Sequence, residues 1–329
     1  MQNDSGTNGR YSVTAYGYCE NDRVAIIIPA YNSATTLNAT LESALAQGAG
    51  MEIVVIDDGS TDETLSIARR FEPRVLVLTG PNCGVSAARN RGIAETRAQW
   101  LLFLDSDDQL VAETLARRLE TTGADAADVI ICDWQDVIDD GSGRLADGRA
   151  RAIDWAALLS DPERAIAAGV WATTSAILYR RGIVERIGGF RADLPVIQDA
   201  RFLFDAAWHG ARFLHAPHIG ARYRIASGSL SRRDPGRFWV DVLLNGQQIE
   251  ALWRERGGLT LAQAKVLAGI YNHSARGLFS ARHPAYFEAV ARYRALGLPL
   301  PLHSRIAPPL ARAIGQRGAQ ALLSLCGRG

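Results

Sequence analysis

A chain of 329 residues with 47% hydrophobic and 22% charged content is globular and long enough to bury a sizeable core. Lys plus Arg (36) nearly cancels Asp plus Glu (35), so no global field points to nucleic acid. Four scattered cysteines (Cys19, Cys83, Cys132, Cys326) without zinc-type spacing fit a reduced cytoplasmic protein, and no apolar run reaches the about 18 residues that span a membrane.

The polar, Gly/Asn-rich start lacks the basic-then-apolar plan of a signal peptide, so residues 1–22 are expected to form a flexible leader. Val24–Ile28 reads as a strand ended by Pro29, and Thr35–Gln47 as a helix stopped by Gly48. Ile53–Ile56 is the next strand. The turn Asp57–Asp62 follows, with Ser60 or Thr61 capping a second helix. Val75–Leu78, Val85–Thr96 and Trp100–Leu104 then read as strand, helix and strand. Three βα units in series predict an α/β fold with a mainly parallel, doubly wound sheet. After Asp108 the rhythm loosens. Val129–Val137 is one long strand or two broken ones, residues 144–170 are irregular and partly helical, and Thr174–Tyr179 is a strand candidate. Gly188-Gly189-Phe190 is a turn, Asp199–Trp208 a short helix, and Phe213-Leu214 and Ile219–Tyr223 two short strands. A composition shift near Ser231–Pro235 opens a helical remainder: Phe238–Arg256, Thr260–Phe279, Pro284–Leu296 and Ile306–Leu325.

Chemistry concentrates at strand ends. The apolar run Leu101–Leu104 stops at Asp105-Ser106-Asp107-Asp108, and a buried strand does not tolerate unpaired charge. These acids need a divalent metal, a ligand's donors or water, and open α/β sheets bind ligands at the carboxyl ends of their strands. Asp57 and Asp58 end the strand Ile53–Ile56 in the same way. Gly84 and the small residues after it let the backbone approach a ligand at a helix start, and Arg89 further along can pair with a carboxylate or a phosphate.

Four motifs appear in order: Pro29-Ala30-Tyr31-Asn32, Asp57-Asp58-Gly59-Ser60-Thr61-Asp62, Asn82-x-Gly84-x-x-x-Ala88-Arg89-Asn90-x-Gly92 and Leu104-Asp105-Ser106-Asp107-Asp108. Their spacing resembles that of the family-2 glycosyltransferases with a GT-A fold. The similarity continues through Gly188-Gly189-Phe190, Gln198-Asp199 and Tyr223-Arg224-x-x-x-x-Ser229-Leu230-Ser231. It implies a catalytic domain over 23–232, with a donor half to about residue 110 and an acceptor half after it, followed by a helical region over 233–329. It also implies inverting transfer of a sugar from a nucleotide-diphosphate sugar, usually a UDP-sugar, to a hydroxyl of a glycan or lipid-linked acceptor. Pro29, Ala30 and Tyr31 would line the nucleobase, with Asp58 a contact to the base. Asn82, Gly84 and Arg89 would join the nucleotide-sugar site, and Asp105 would lie by the ribose. Asp107 would bind Mg²⁺ or Mn²⁺, hard cations suited to carboxylate and diphosphate oxygens, and Asp108 would share this role or cap the next helix, the cap being the favoured reading. The general base would be Asp199, whose other reading is a helix cap, and Gln198 stands where the family carries Glu.

Trp171, Tyr179 and Trp208 lie in the acceptor half, where Tyr179 and Trp208 are expected in the core. His209, His215 and His218 show no ligand spacing and are expected at the surface or in packing. Arg305, Arg312, Arg317 and Arg328 stand among Ile306, Leu310, Ile314, Leu322, Leu323 and Leu325, a mix that suits either an ordinary packed helix or peripheral contact with the inner face of a membrane. Two other functions compete: a degenerate protein that holds a nucleotide sugar without transfer, and a dinucleotide oxidoreductase. The latter rests on a Gly-x-Gly-x-x-Ala match at 141–146 that does not follow the first strand.

Overall fold

The computed structural model of the chain describes residues 24–48, 50–141, 145–226, 233–299 and 302–325. The expected leader, Cys19, Ser142 to Arg144, Ser229-Leu230-Ser231, Cys326 and Arg328 lie outside these residues, as do the side chains of Arg305, Ile306 and Leu325. In chain order the elements are β1 (Val24–Ala30), α1 (Leu37–Leu45), β2 (Glu52–Asp57), α2 (Thr64–Arg69), β3 (Leu76–Thr79), α3 (Val85–Glu95) and β4 (Trp100–Phe103). Then come β5 (Gln109–Leu110), α4 (Thr114–Glu120), β6 (Val129–Asp139), β7 (Leu145–Arg151), α5 (Trp155–Ser160) and α6 (Pro162–Ala167). The chain continues with β8 (Ile177–Arg180), α7 (Arg181–Ile187), α8 (Gln198–Trp208) and β9 (Phe213–Ile225). Four helical elements close it: α9 (Pro235–Glu255), α10 (Leu261–Ser280), α11 (Tyr286–Ala295) and α12 (Leu302–Leu325), the last being two helical segments that meet at a kink at Gly315, φ 74°.

The strands form one sheet in the order β3-β2-β1-β4-β8-β6-β9-β5, with β7 added on β6. The first four are parallel, the doubly wound arrangement expected from three βα units. Beyond β4 the sheet becomes mixed: β8 runs antiparallel to both β4 and β6, while β6 and β9 are parallel. The central β1 is buried along its whole length, which its continuous apolar sequence dictates. Under the carboxyl edge Phe103 meets Phe190 edge to face at 4.7 Å, and Phe190 stacks on Phe202 at 4.0 Å. Each such pair contributes about 0.5–1.5 kcal/mol beyond its buried area, and the cluster gives the acids above it a rigid floor.

Several boundaries differ from the sequence reading, each for a physical reason. Pro29 lies inside β1. Ile27 O accepts from Leu104 N and Ala30 O from Asp58 N, so Pro29 turns its nitrogen to the β4 side, where that ladder has ended. Neither Ser60 nor Thr61 caps α2; the cap position is Glu63, and both residues instead bond Asn32. Residues 145–151 are a strand, hidden from pattern reading because every side chain but one is exposed and no apolar alternation marks it. The two short strands expected over 213–223 are one, β9, which shifts register against β6 around Asp133.

The helical remainder packs onto the sheet domain. Asp241 of α9, wholly buried, accepts from Val196 N at 2.9 Å just before α8, and Trp253 Nε1 donates to Glu163 of α6 at 2.9 Å. Among the described residues no helix is long and apolar enough to cross a membrane.

Candidate active site

The carboxyl ends of β1, β2 and β4 open onto one edge, and the motif residues gather there. Asp57 and Asp58 do not face each other unpaired. Asp57 accepts from Thr79 Oγ1 at 2.7 Å. Asp58 accepts from the backbone N–H groups of Cys83 and Gly84 at 2.8 and 2.9 Å, which ties the loop before α3 to the end of β2. That loop passes so close that a Cβ on Gly59 would stand 2.8 Å from Asn82 N, and Gly59 itself has φ +74°, so a side chain is excluded there twice over. Gly84, at φ 88°, is the cap residue of α3. Pro29 and Ala30 are buried in β1, whereas Tyr31 is 46% exposed at its mouth and Asn82 is exposed beside the loop.

Arg89 is the hub. Its residue is 2% exposed, and its guanidinium lies 5.0 Å from the Phe190 ring centroid. One terminal nitrogen is ion-paired with Asp105 Oδ1, and the other donates to Gln198 Oε1 at 2.5 Å. Asp105 Oδ2 accepts from Thr174 Oγ1 at 3.2 Å. The helix α3 grips the acceptor half elsewhere as well: Asn90 donates to Phe190 O and accepts from Phe190 N, and Ser86 Oγ donates to Arg191 O.

Asp108 does not cap a helix, contrary to the sequence expectation. Its carboxylate accepts from Ser175 Oγ at 2.9 Å, Thr173 Oγ1 at 3.2 Å and Arg224 N at 2.9 Å, and the next helix starts only at Thr114. Burial, reinforced by the charges of Asp107 and Asp105, pushes its carboxyl well above the usual range. Asp107 is half-buried, and no other described residue donates a hydrogen bond to its carboxylate. Burial and then the Asp105 charge push it up to about 6, against the attraction of Arg224. An under-partnered carboxylate beside a second one is what a divalent cation relieves, so these residues fit one. Among the described residues no three His, Cys, Asp or Glu side chains converge on a common metal position.

Asp199 lies in the first turn of α8, whose cap position is Ile197, so it is not the cap residue. Its Oδ1 accepts from Ala200 N at 2.8 Å and its Oδ2 from Trp171 Nε1 at 3.3 Å. Burial raises its pKa, with Arg89 opposing and Asp105 adding to the rise. Trp171 meets Trp134 and Tyr223 edge to face at 6.0 and 5.7 Å, so an aromatic group stands beside Asp199. Tyr179 is core, as expected. His215 pairs with Asp133 and stacks on Trp155, and His218 bonds Thr114, both packing roles.

Sequence reading missed the Thr173-Thr174-Ser175 turn, which supplies three hydroxyl donors to Asp105 and Asp108. The available signal was three consecutive hydroxyl residues just before an apolar strand. It also missed Thr40, whose hydroxyl donates to Ser106 O and Asp108 O and so pins the acidic turn to α1.

A parallel half-sheet with clustered aspartates at its carboxyl edge, joined to a mixed half-sheet that brings a further aspartate on a helix, defines the GT-A class of transferases. The model described as Glycosyl transferase family 2 matches residues 25–188. The succinoglycan biosynthesis protein ExoO of Rhizobium meliloti (strain 1021) is 33% identical over 224 residues, 64% of this chain and 62% of that protein's length. A PGL/p-HBAD biosynthesis glycosyltransferase of Mycobacterium bovis (strain BCG / Pasteur 1173P2) is 37% identical over 184 residues, 54% of this chain and 67% of the relative. The fold is similar to that of S. aureus TarS 1-349 in complex with UDP-GlcNAc (TM-score 0.57, 19% identity, 83% of this chain and 90% of that one). It is also similar to the mannosyltransferase PcManGT from Pyrobaculum calidifontis in complex with GDP-Man and Mn2+ (TM-score 0.53, 21% identity, 93% and 88%). The chain belongs to glycosyl transferase family 2 and is a glycosyltransferase.

Proposed function

We propose that the protein transfers a sugar from a nucleotide-diphosphate sugar to an acceptor hydroxyl with inversion, assisted by a divalent metal. The observation that carries this reading is the convergence of Asp105 and the Asp199 region on one buried guanidinium, Arg89, with Asp107 left under-partnered beside them. Tyr31 and the Asp58-held loop with Asn82 and Gly84 form the nucleotide end, alongside Pro29 and Ala30. Asp105 serves the ribose and Asp107 holds Mg²⁺ or Mn²⁺. A divalent metal held by Asp107 would offset the charge growing on the departing diphosphate. Asp199 takes the proton of the acceptor hydroxyl as that oxygen attacks the anomeric carbon, and the single base with no second nucleophile gives inversion. TarS and PcManGT, solved with UDP-GlcNAc and with GDP-Man and Mn2+, support a nucleotide-sugar donor through shared fold. ExoO's role in succinoglycan biosynthesis supports a glycan or lipid-linked acceptor.

A thermal-shift panel of UDP-, GDP- and dTDP-sugars with and without Mn²⁺ tests the donor site; metal-dependent stabilisation by none of them would overturn it. Asp199→Asn separates an enzyme from a protein that only holds the nucleotide sugar. Turnover is lost in the first case while binding persists; in the second the wild type has no turnover to lose.

A further inference from the structure

We infer that Gln198 is a positioning residue that sets Arg89, and through it the donor-side carboxylate Asp105. This rests on the donor-site reading above. Gln198 is 5% exposed at the start of α8, and its carboxamide oxygen accepts from one terminal nitrogen of Arg89, whose other terminal nitrogen pairs with Asp105. Arg89 Nε is buried with no hydrogen-bond partner, so the guanidinium is fixed at two of its three nitrogens and by its contact with the Phe190 ring. Removing the Gln198 acceptor leaves a second buried N–H group without a partner, and the side chain swings to recover one. Asp105 then loses the fixed cation on Oδ1 and keeps only Thr174 on Oδ2.

The acceptor at this position works whether it is an amide or a carboxylate, because Arg89 needs only a lone pair there. A neutral amide leaves Asp105 as the single carboxylate bonded to the Arg89 charge, which keeps negative charge low where a diphosphate must arrive. Support of a ligand-binding carboxylate from behind carries a measurable part of affinity, typically ten-fold or more at metal sites.

The test is calorimetric titration of the full-length protein with Mn²⁺-UDP and Mn²⁺-GDP, for wild type, Gln198→Leu and Gln198→Glu, each checked for folding by its thermal transition. The expected result is that Gln198→Leu binds the better nucleotide about ten-fold more weakly, although residue 198 lies in the acceptor half. Gln198→Glu should restore binding to within about three-fold of wild type, since it keeps the acceptor. If Gln198→Leu folds and binds like wild type, the residue is only structural and the inference is overturned. Should Gln198→Leu fail to fold, Gln198→Glu and Gln198→Met take its place: equal affinity in a folded Met variant overturns the inference. If wild type binds neither nucleotide, the donor-site reading itself fails and the inference falls with it.

Discussion

At the scale of single residues, the site is a set of carboxylates given different partners. Asp108 is tied into structure by three donors, Asp105 is shared between Arg89 and Thr174, and Asp107 receives no hydrogen bond from another described residue. Asp108→Leu strips acceptors from Ser175, Thr173 and the Arg224 N–H together, and the expected loss is about 2–4 kcal/mol of stability in a denaturant titration. The proposed base makes a pH prediction. A base at Asp199 would work deprotonated, and burial raises the Asp199 pKa despite the opposing Arg89 charge. The acid limb of kcat/KM therefore falls at a higher pH than an ordinary carboxylate would give, and it vanishes with activity in Asp199→Asn. A limb at or below the usual Asp range would remove Asp199 from the role of base. The acids were legible from sequence because charge at the end of an apolar run has few structural explanations. The structural role of Asp108 was not, since its partners Thr173 and Ser175 lie in a distant turn and Arg224 in β9, and no local pattern joins them to β4.

At the scale of elements, α3 is the rail on which the two halves are aligned. It presses on β1 at Gly92, where a Cβ would stand 2.3 Å from Ile27 Cγ2 in the middle of a fully buried strand. Gly92→Ala is expected to cost about 1–3 kcal/mol by overpacking, and the shift of α3 should lower activity more than the stability loss alone predicts. A Gly92→Ala protein with unchanged thermal transition and unchanged turnover would show that α3 can move freely. The helices α1 and α2 and the strands β1, β2 and β4 were readable because each buries an apolar face or nearly its whole length. The strand β7 was not readable, because an exposed arm carries no hydrophobic period. Nor was the merging of two short strands into β9, since its register against β6 is set by tertiary pairing.

At the scale of the whole molecule, the C-terminal helices are joined to the catalytic layer through Asp241, which holds the backbone at Val196 and so fixes the entry to α8 and the residues Gln198 and Asp199. Asp241→Ala is therefore expected to lower turnover through Asp199 and to weaken Mn²⁺-nucleotide binding through Gln198, read by steady-state kinetics and calorimetry; unchanged turnover and affinity would show that the entry to α8 does not depend on Asp241. In α12, Arg312 and Ile314 before the Gly315 kink and Arg317 and Leu322 after it are all exposed, a composition that would suit contact with an anionic lipid surface. Flotation with vesicles containing anionic lipid, compared with a chain ending at residue 300, checks that contact; equal recovery of both chains in the lipid fraction rules it out. The bonds that complete the centre join residues 109 positions apart at Arg89 and Gln198 and 116 apart at Asp108 and Arg224. On the ribosome the acids of β4 thus emerge long before the groups that tame them. The first third of the chain, through β4, is made with a charged rim still waiting for its partners, and the centre closes only when β9 has been synthesised.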